Sequence, residues 1–91
     1  MLVPALPGED LIRKGIADLE NGEETLEALL VSIGGPRLSG IGLAVPRPIP
    51  APERRLYDLL ARADSDSAHS RYNALIRRLV SFEHAAECAA R

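Results

Sequence analysis

Pro46, Pro48, Pro50 and Pro52 alternate with Arg47, Ile49 and Ala51 in the middle of the chain. Each proline lacks a backbone N–H and fixes φ near −65°, so this stretch can be neither helix interior nor central strand and favours an extended, polyproline-like path. At ~3.1 Å per residue, Pro46 to Pro52 would reach ~20 Å, enough to cross the face of a small domain. Such a strap serves either as a rigid linker or as a ligand for another domain's aromatic groove. Regular structure has to be sought on either side of it.

On the N-terminal side, Pro7-Gly8 precedes a first helix at roughly 9–20, where Ile12, Ile16 and Leu19 repeat at i, i+4, i+7 beside Leu11. Asn21-Gly22 interrupts the run, and Asn21 followed by Glu24 has the form of a capping box opening a second helix. In that helix Leu26, Leu29, Leu30 and Ile33 make one apolar stripe, and Glu23, Glu24 and Glu27 fall in the early turns where the helix dipole favours anions. Gly34-Gly35-Pro36 ends it, with a single further turn allowed at Pro36-Arg37-Leu38-Ser39. The short connection makes the two helices an antiparallel pair.

Beyond the prolines, Pro52 suits the first position of a third helix, and Leu56, Leu59, Leu60 and Ala63 repeat the i, i+3, i+4, i+7 stripe. Asp64-Ser65-Asp66-Ser67 offers N-caps for a fourth helix from Ser67 to Ala89. Ala68, Tyr72, Leu75, Leu79, Phe82 and Ala86 step alternately by four and three, the a/d seam of a helix lying lengthwise on others. Some 23 residues would be ~35 Å long, more than the first three helices need as a cover, and an overhanging end could pair with a partner. The expected fold is therefore all-α: a small bundle of about four helices with a proline-rich strap between helices two and three. It forms one domain over 1–91, with an acidic hairpin at 9–34, a Gly/Pro-rich connector at 35–52 and an Arg-bearing helical pair at 53–91.

Composition sets the setting. With 46% hydrophobic residues among 91 but only two tyrosines, one phenylalanine and no tryptophan, the core is aliphatic and modest. A core of this size gains from self-association or a partner, and a homodimer is one such arrangement. No apolar run approaches the ~18 residues of a membrane span. Met1 to Pro7 shows no secretory pattern, and Cys88, a lone cysteine, has no internal disulfide partner, so a cytoplasmic location is expected.

The net charge of −2 hides an asymmetry: residues 1–30 hold seven acids against Arg13 and Lys14, net −5, while residues 31–91 hold nine arginines against six acids, net +3. Arginine's planar fork suits bidentate pairing with carboxylate or phosphate. Arg54, Arg55 and Arg62 fall on the third helix and Arg71, Arg77 and Arg78 on the fourth. Their uses are a salt-bridged solvent face, phosphate contacts in a small helical nucleic-acid-binding regulator, or docking to an acidic cleft of a protein. The pI of about 5.6 and the absence of a stacking aromatic set or a helix-turn-helix disfavour nucleic acid.

No catalytic constellation emerges, and the chain is expected to be no enzyme. Gly34-Gly35-Pro36 follows a helix rather than a strand and no phosphate-binding lysine comes after it. Ser65, Ser67, Ser70 and His69 read as capping and surface residues, because no strand-turn-helix elbow frames a serine nucleophile. His84 and Cys88 at i, i+4 are too few ligands for a structural zinc site, so neither metal nor cofactor is expected. Arg78 to His84, or Arg62 to His69, has the spacing of helical toxin-type ribonucleases, but Leu79 and Ala63 follow the arginines where that family has a polar residue.

Two runs, Glu24-Thr25-Leu26-Glu27-Ala28-Leu29-Leu30-Val31-Ser32-Ile33-Gly34-Gly35-Pro36-Arg37-Leu38 and Ala68-His69-Ser70-Arg71-Tyr72-Asn73-Ala74-Leu75-Ile76-Arg77-Arg78-Leu79-Val80-Ser81-Phe82-Glu83, resemble antitoxins of bacterial nucleotidyltransferase toxin–antitoxin pairs, especially the actinobacterial kind. The runs cover 31 of the 91 residues. The resemblance implies a non-enzymatic protein that binds a cognate toxin able to add nucleotides to RNA and occludes its active site or substrate groove. Nucleotidyl transfer uses carboxylates to hold divalent metal ions, so an arginine-bearing helix could enter such a site. The Glu-rich half could equally occupy a basic RNA groove. Arg71, Tyr72, Arg77 and Arg78 are the candidate partner-binding residues.

Overall fold

A computed structural model of the chain describes residues 6–89. It is all-helical: α1 (Glu9–Glu20), α2 (Leu26–Ile33), α3 (Gly35–Gly40), α4 (Pro52–Ala63) and α5 (Ala68–Ala89). No strand is present among the described residues. The single turn allowed after Gly34 is a separate six-residue helix, so the described residues form five helices instead of about four. Pro36 in the first turn of α3 explains the restart: a residue without an N–H cannot continue α2 but is tolerated where a new helix begins.

The α1–α2 corner differs from the capping box expected at Asn21. Asn21 is instead the C-cap of α1, and Gly22 at φ 73° takes the left-handed conformation that follows it. The N–H groups of Gly22 and Glu23 then donate to the carbonyls of Leu19 (3.1 Å) and Asp18 (2.8 Å), closing a Schellman motif. α2 starts only after Thr25, whose Oγ1 accepts from the Ala28 N–H at 3.1 Å and donates to Asp18 Oδ2 at 2.5 Å. One hydroxyl thus caps α2 and fastens it to α1.

α2 is the hub, touching α1, α3, α4 and α5. The single stripe read from its sequence understates this role: Ala28 and Val31 are buried along with Leu29 and Leu30, while Leu26 and Ile33 are half-buried. An eight-residue helix apolar on nearly every side belongs inside a bundle. Around it the core gathers Ile12 and Leu19 from α1, Leu38 from α3, Leu56 and Leu60 from α4, and Ala68, Leu79 and Phe82 from α5. α1 and α2 approach so closely at Gly15 that a Cβ there would lie 2.8 Å from the Glu27 carbonyl carbon.

Residues 41–51 hold no regular structure. Val45 and Ile49 lie against the core, and the Ile49 N–H donates to Ser32 Oγ at 3.0 Å. Turning those side chains inward bends the path: Arg47 (φ 45°) and Ala51 (φ 49°) are left-handed, so the prolines do not form one continuous polyproline rod. Pro52 opens α4 at its first position, as its missing N–H favours. α5, 22 residues and about 33 Å, is the longest element of a molecule measuring 41 × 25 × 23 Å.

Candidate partner interface

All six seam residues of α5 face inward: Ala68, Leu79 and Phe82 are buried, and Tyr72, Leu75 and Ala86 are half-buried against the core. Because successive helical residues turn by about 100°, the seam fixes where everything else on α5 points. Arg71 and Arg78, seven apart, share one flank of it, Tyr72 lies on the other, and Arg77 falls on the side opposite the core. Arg71, Arg77 and Arg78 are exposed. Tyr72 meets Tyr57 of α4 with ring centroids 5.7 Å apart and planes tilted by 58°. Burial, and next the Glu53 carboxylate, push its phenol above the usual range. The four candidate residues therefore do not form one flat patch: Arg71 and Arg78 share a flank, Arg77 points away from the core, and Tyr72 is half-buried beside α4.

Ion pairing separates the cations into two groups. Arg13 pairs with Glu9 (2.7 Å), Lys14 with Asp18 (2.7 Å) and Glu27 (3.6 Å), and Arg37 with Glu87 (2.9 Å). Arg55 grips Glu24 with both arms of its fork, Nε to Oε2 at 2.9 Å and Nη2 to Oε1 at 2.6 Å. The Arg55 hydrogen bonds, helped by the Arg62 charge, hold the Glu24 carboxyl below its ordinary value. Arg78 has only a long contact of 3.9 Å to the exposed Asp10. Arg47, Arg54, Arg62, Arg71 and Arg77 have no ion pair or hydrogen bond among the described residues, Arg62 acting on Glu24 through its charge alone.

Two surface grooves among the described residues bear on a site. A polar one of about 540 Å³ runs along α4 between Glu24, Arg55, Asp58, Ala61 and Arg62. An apolar one of about 580 Å³ lies between α1, the turn after α3 and the end of α5, with Leu6, Ile16, Ile41, Leu43, Phe82 and Ala86 in its walls. Neither holds a nucleophile beside a base. His69 is tied to Asn73 (3.2 Å) on its own helix, and His84 and Cys88 are both exposed. Among the described residues no group of three or more His, Cys, Asp or Glu side chains could hold a metal ion. No helix among them is long and apolar enough to cross a membrane.

Two features escaped the sequence reading. Gly15 looks like a mere interruption of α1 until the crossing with α2 is seen. Glu83 reads as a solvent-facing acid, yet its side chain is only 5% exposed; its spacing of four from Leu79 was the available hint. The chain matches no family model, no curated protein and no solved structure.

Proposed function

We propose that the chain is a non-enzymatic, antitoxin-type protein that binds a nucleotidyltransferase-like partner and occludes its active site or substrate groove with α5. The observation that supports this reading most is the set of arginines without an ion pair or hydrogen bond among the described residues, Arg54, Arg62, Arg71 and Arg77, on the two helices that also expose Tyr57 and Val80. An exposed arginine left unpaired while its neighbours are matched keeps its donors for an acceptor outside the chain. A cleft of metal-binding carboxylates supplies such acceptors, and Tyr57, Tyr72 and Val80 supply apolar contact beside them. The proline-rich connector, tied to α2 through Ile49 and Ser32, holds the α4–α5 pair in place as a linker.

The test is recovery of the tagged protein from its native host, with a salt wash to remove loose contacts, and identification of what accompanies it by mass spectrometry. A stoichiometric nucleotidyltransferase-like protein whose RNA modification is inhibited by the added chain is the expected result. Recovery alone overturns the proposal. Recovery with nucleic acid only, with binding that falls steeply with salt, replaces it by the regulator reading.

A further inference from the structure

We propose that Glu83 is a proton-sensing residue that sets how firmly the α2–α3 corner is held to α5. The proposal is independent of any partner. Glu83 is buried on α5 with 4% of its surface exposed. It makes no hydrogen bond among the described residues. Its Oε2 lies over Gly34, where a Cβ would come within 3.0 Å of it and within 2.9 Å of Leu79 Cδ1. The carboxylate is thus pressed against the junction where α2 ends and α3 begins.

One guanidinium serves two acids there. Arg37 Nε is 2.9 Å from Glu87 Oε1 but 3.9 Å from Glu83 Oε1, so the more deeply buried acid has the poorer share. The charged and titratable groups facing Glu83 are Arg37 from α3 and, along α5 itself, Glu87 and His84. α2 contributes none, its last turn being Val31-Ser32-Ile33 ahead of Gly34.

A carboxylate that is mostly buried, with no hydrogen bond and only a sliver of solvent contact left to its oxygens, disfavours its charged form. Burial first, opposed by Arg37 and reinforced by Glu87, pushes the Glu83 carboxyl above the ordinary glutamate range. The closed corner therefore binds the proton more tightly than the opened one. By linkage, opening becomes harder as pH falls through the folded value and easier as pH rises past it.

Hydrogen exchange on the full chain reads this opening through amides that the corner protects. Leu38 N–H donates to the Gly34 carbonyl at 2.8 Å, and Leu43 N–H to the Leu38 carbonyl at 2.9 Å. After correction for intrinsic rates, protection of both should rise in the natural chain as pH is lowered from neutrality to the ordinary glutamate value of about 4.3. Glu83→Gln should lose that dependence and stay near the acid level throughout, while His84→Gln should keep it. A flat profile in the natural chain, or a dependence that survives Glu83→Gln, overturns the proposal. Should Glu83→Gln fail to fold, a carbon-13 titration of the Glu83 carboxyl in the natural chain decides. A midpoint above the ordinary ~4.3 supports the sensor, and one at or below it overturns it.

Discussion

Replacing Gly15 by alanine should destabilise the domain, against the direction that helix propensity alone gives. In an exposed helix interior the change would gain about 1 kcal/mol, because glycine is the worst ordinary helix former. Here the new Cβ would lie 2.8 Å from the carbonyl carbon of Glu27 and closer still to its oxygen and to Val31 Cγ2. Ordinary carbon contacts are about 3.5–4.0 Å, so the two helices must separate by at least ~0.7 Å. Neither neighbour yields easily: one is helix backbone and the other a β-branched side chain with a restricted χ1. Separation loosens Ile12 and Leu19 against α2, the most extensive helix contact in the fold. Overpacking of this kind costs about 1–3 kcal/mol, and a backbone obstacle places it at the upper end. Subtracting the propensity gain leaves about 2 kcal/mol, which lowers Tm by ~8–16 °C in a domain of this size. Thermal unfolding followed by circular dichroism measures it, with Gly40→Ala as control, since nothing lies within 4 Å of a Cβ there. A Gly15→Ala protein melting at or above the natural chain would refute the close α1–α2 crossing.

Thr25→Ala should cost about 0.5–2 kcal/mol by removing the α2 cap, with Thr25→Ser retaining most of the stability in urea unfolding. Leu29→Ala, at a position with no exposed surface, should cost about 2–5 kcal/mol in the same assay. Hydrogen bonds from Lys14 and then Thr25 hold the Asp18 carboxyl below its ordinary value. Its contribution is therefore complete above that value, about 3.9, and is lost as pH falls through the folded one. The gap in urea midpoint between the natural chain and Asp18→Asn should close below about pH 4, opposite in sign to the Glu83 effect. Arg71→Ala with Arg77→Ala should leave stability within about 0.5 kcal/mol, since neither has a partner to lose, while weakening binding to the proposed partner. Unchanged affinity by calorimetry would remove both from the interface.

What could be read from sequence was whatever depends on one helix at a time. The α5 seam and Pro52 at the start of α4 follow from local periodicity and from proline's missing N–H, and both are present. What could not be read depends on two elements meeting. Asn21 and Glu24 have capping-box chemistry, but Gly22 closes the α1 terminus first, and Thr25 becomes the cap because Asp18, seven residues back, is there to receive its hydroxyl. Ala28 and Val31 look like the sides of an amphipathic helix until the surrounding helices cover them, α1 meeting Val31 at Gly15. The connector reads as a rod because proline restricts φ, yet Val45 and Ile49 have a core to join, and the chain bends at Arg47 and Ala51 to let them. For the candidate interface, sequence located the arginines but not which of them fold back on acids.

That last distinction changes how the charge asymmetry is understood. A net −5 in the first 30 residues and +3 in the remainder suggests two opposed surfaces. Folding partly cancels them, because Glu24 is gripped by Arg55 and Asp10 lies near Arg78, each pair joining the acidic half to the basic one. The cations left over are Arg47 in the connector, Arg54 and Arg62 on α4 beside Glu53 and Asp58, and Arg71 and Arg77 on α5, so the field around them is local and of mixed sign rather than a broad basic face. Long-range steering toward a polyanion needs such a broad face, whereas short-range docking needs donors that are close, oriented and unused. The leftover arginines are unused donors and do not form the broad face. This favours a structured acidic cleft over an extended nucleic acid as the surface that α5 would meet.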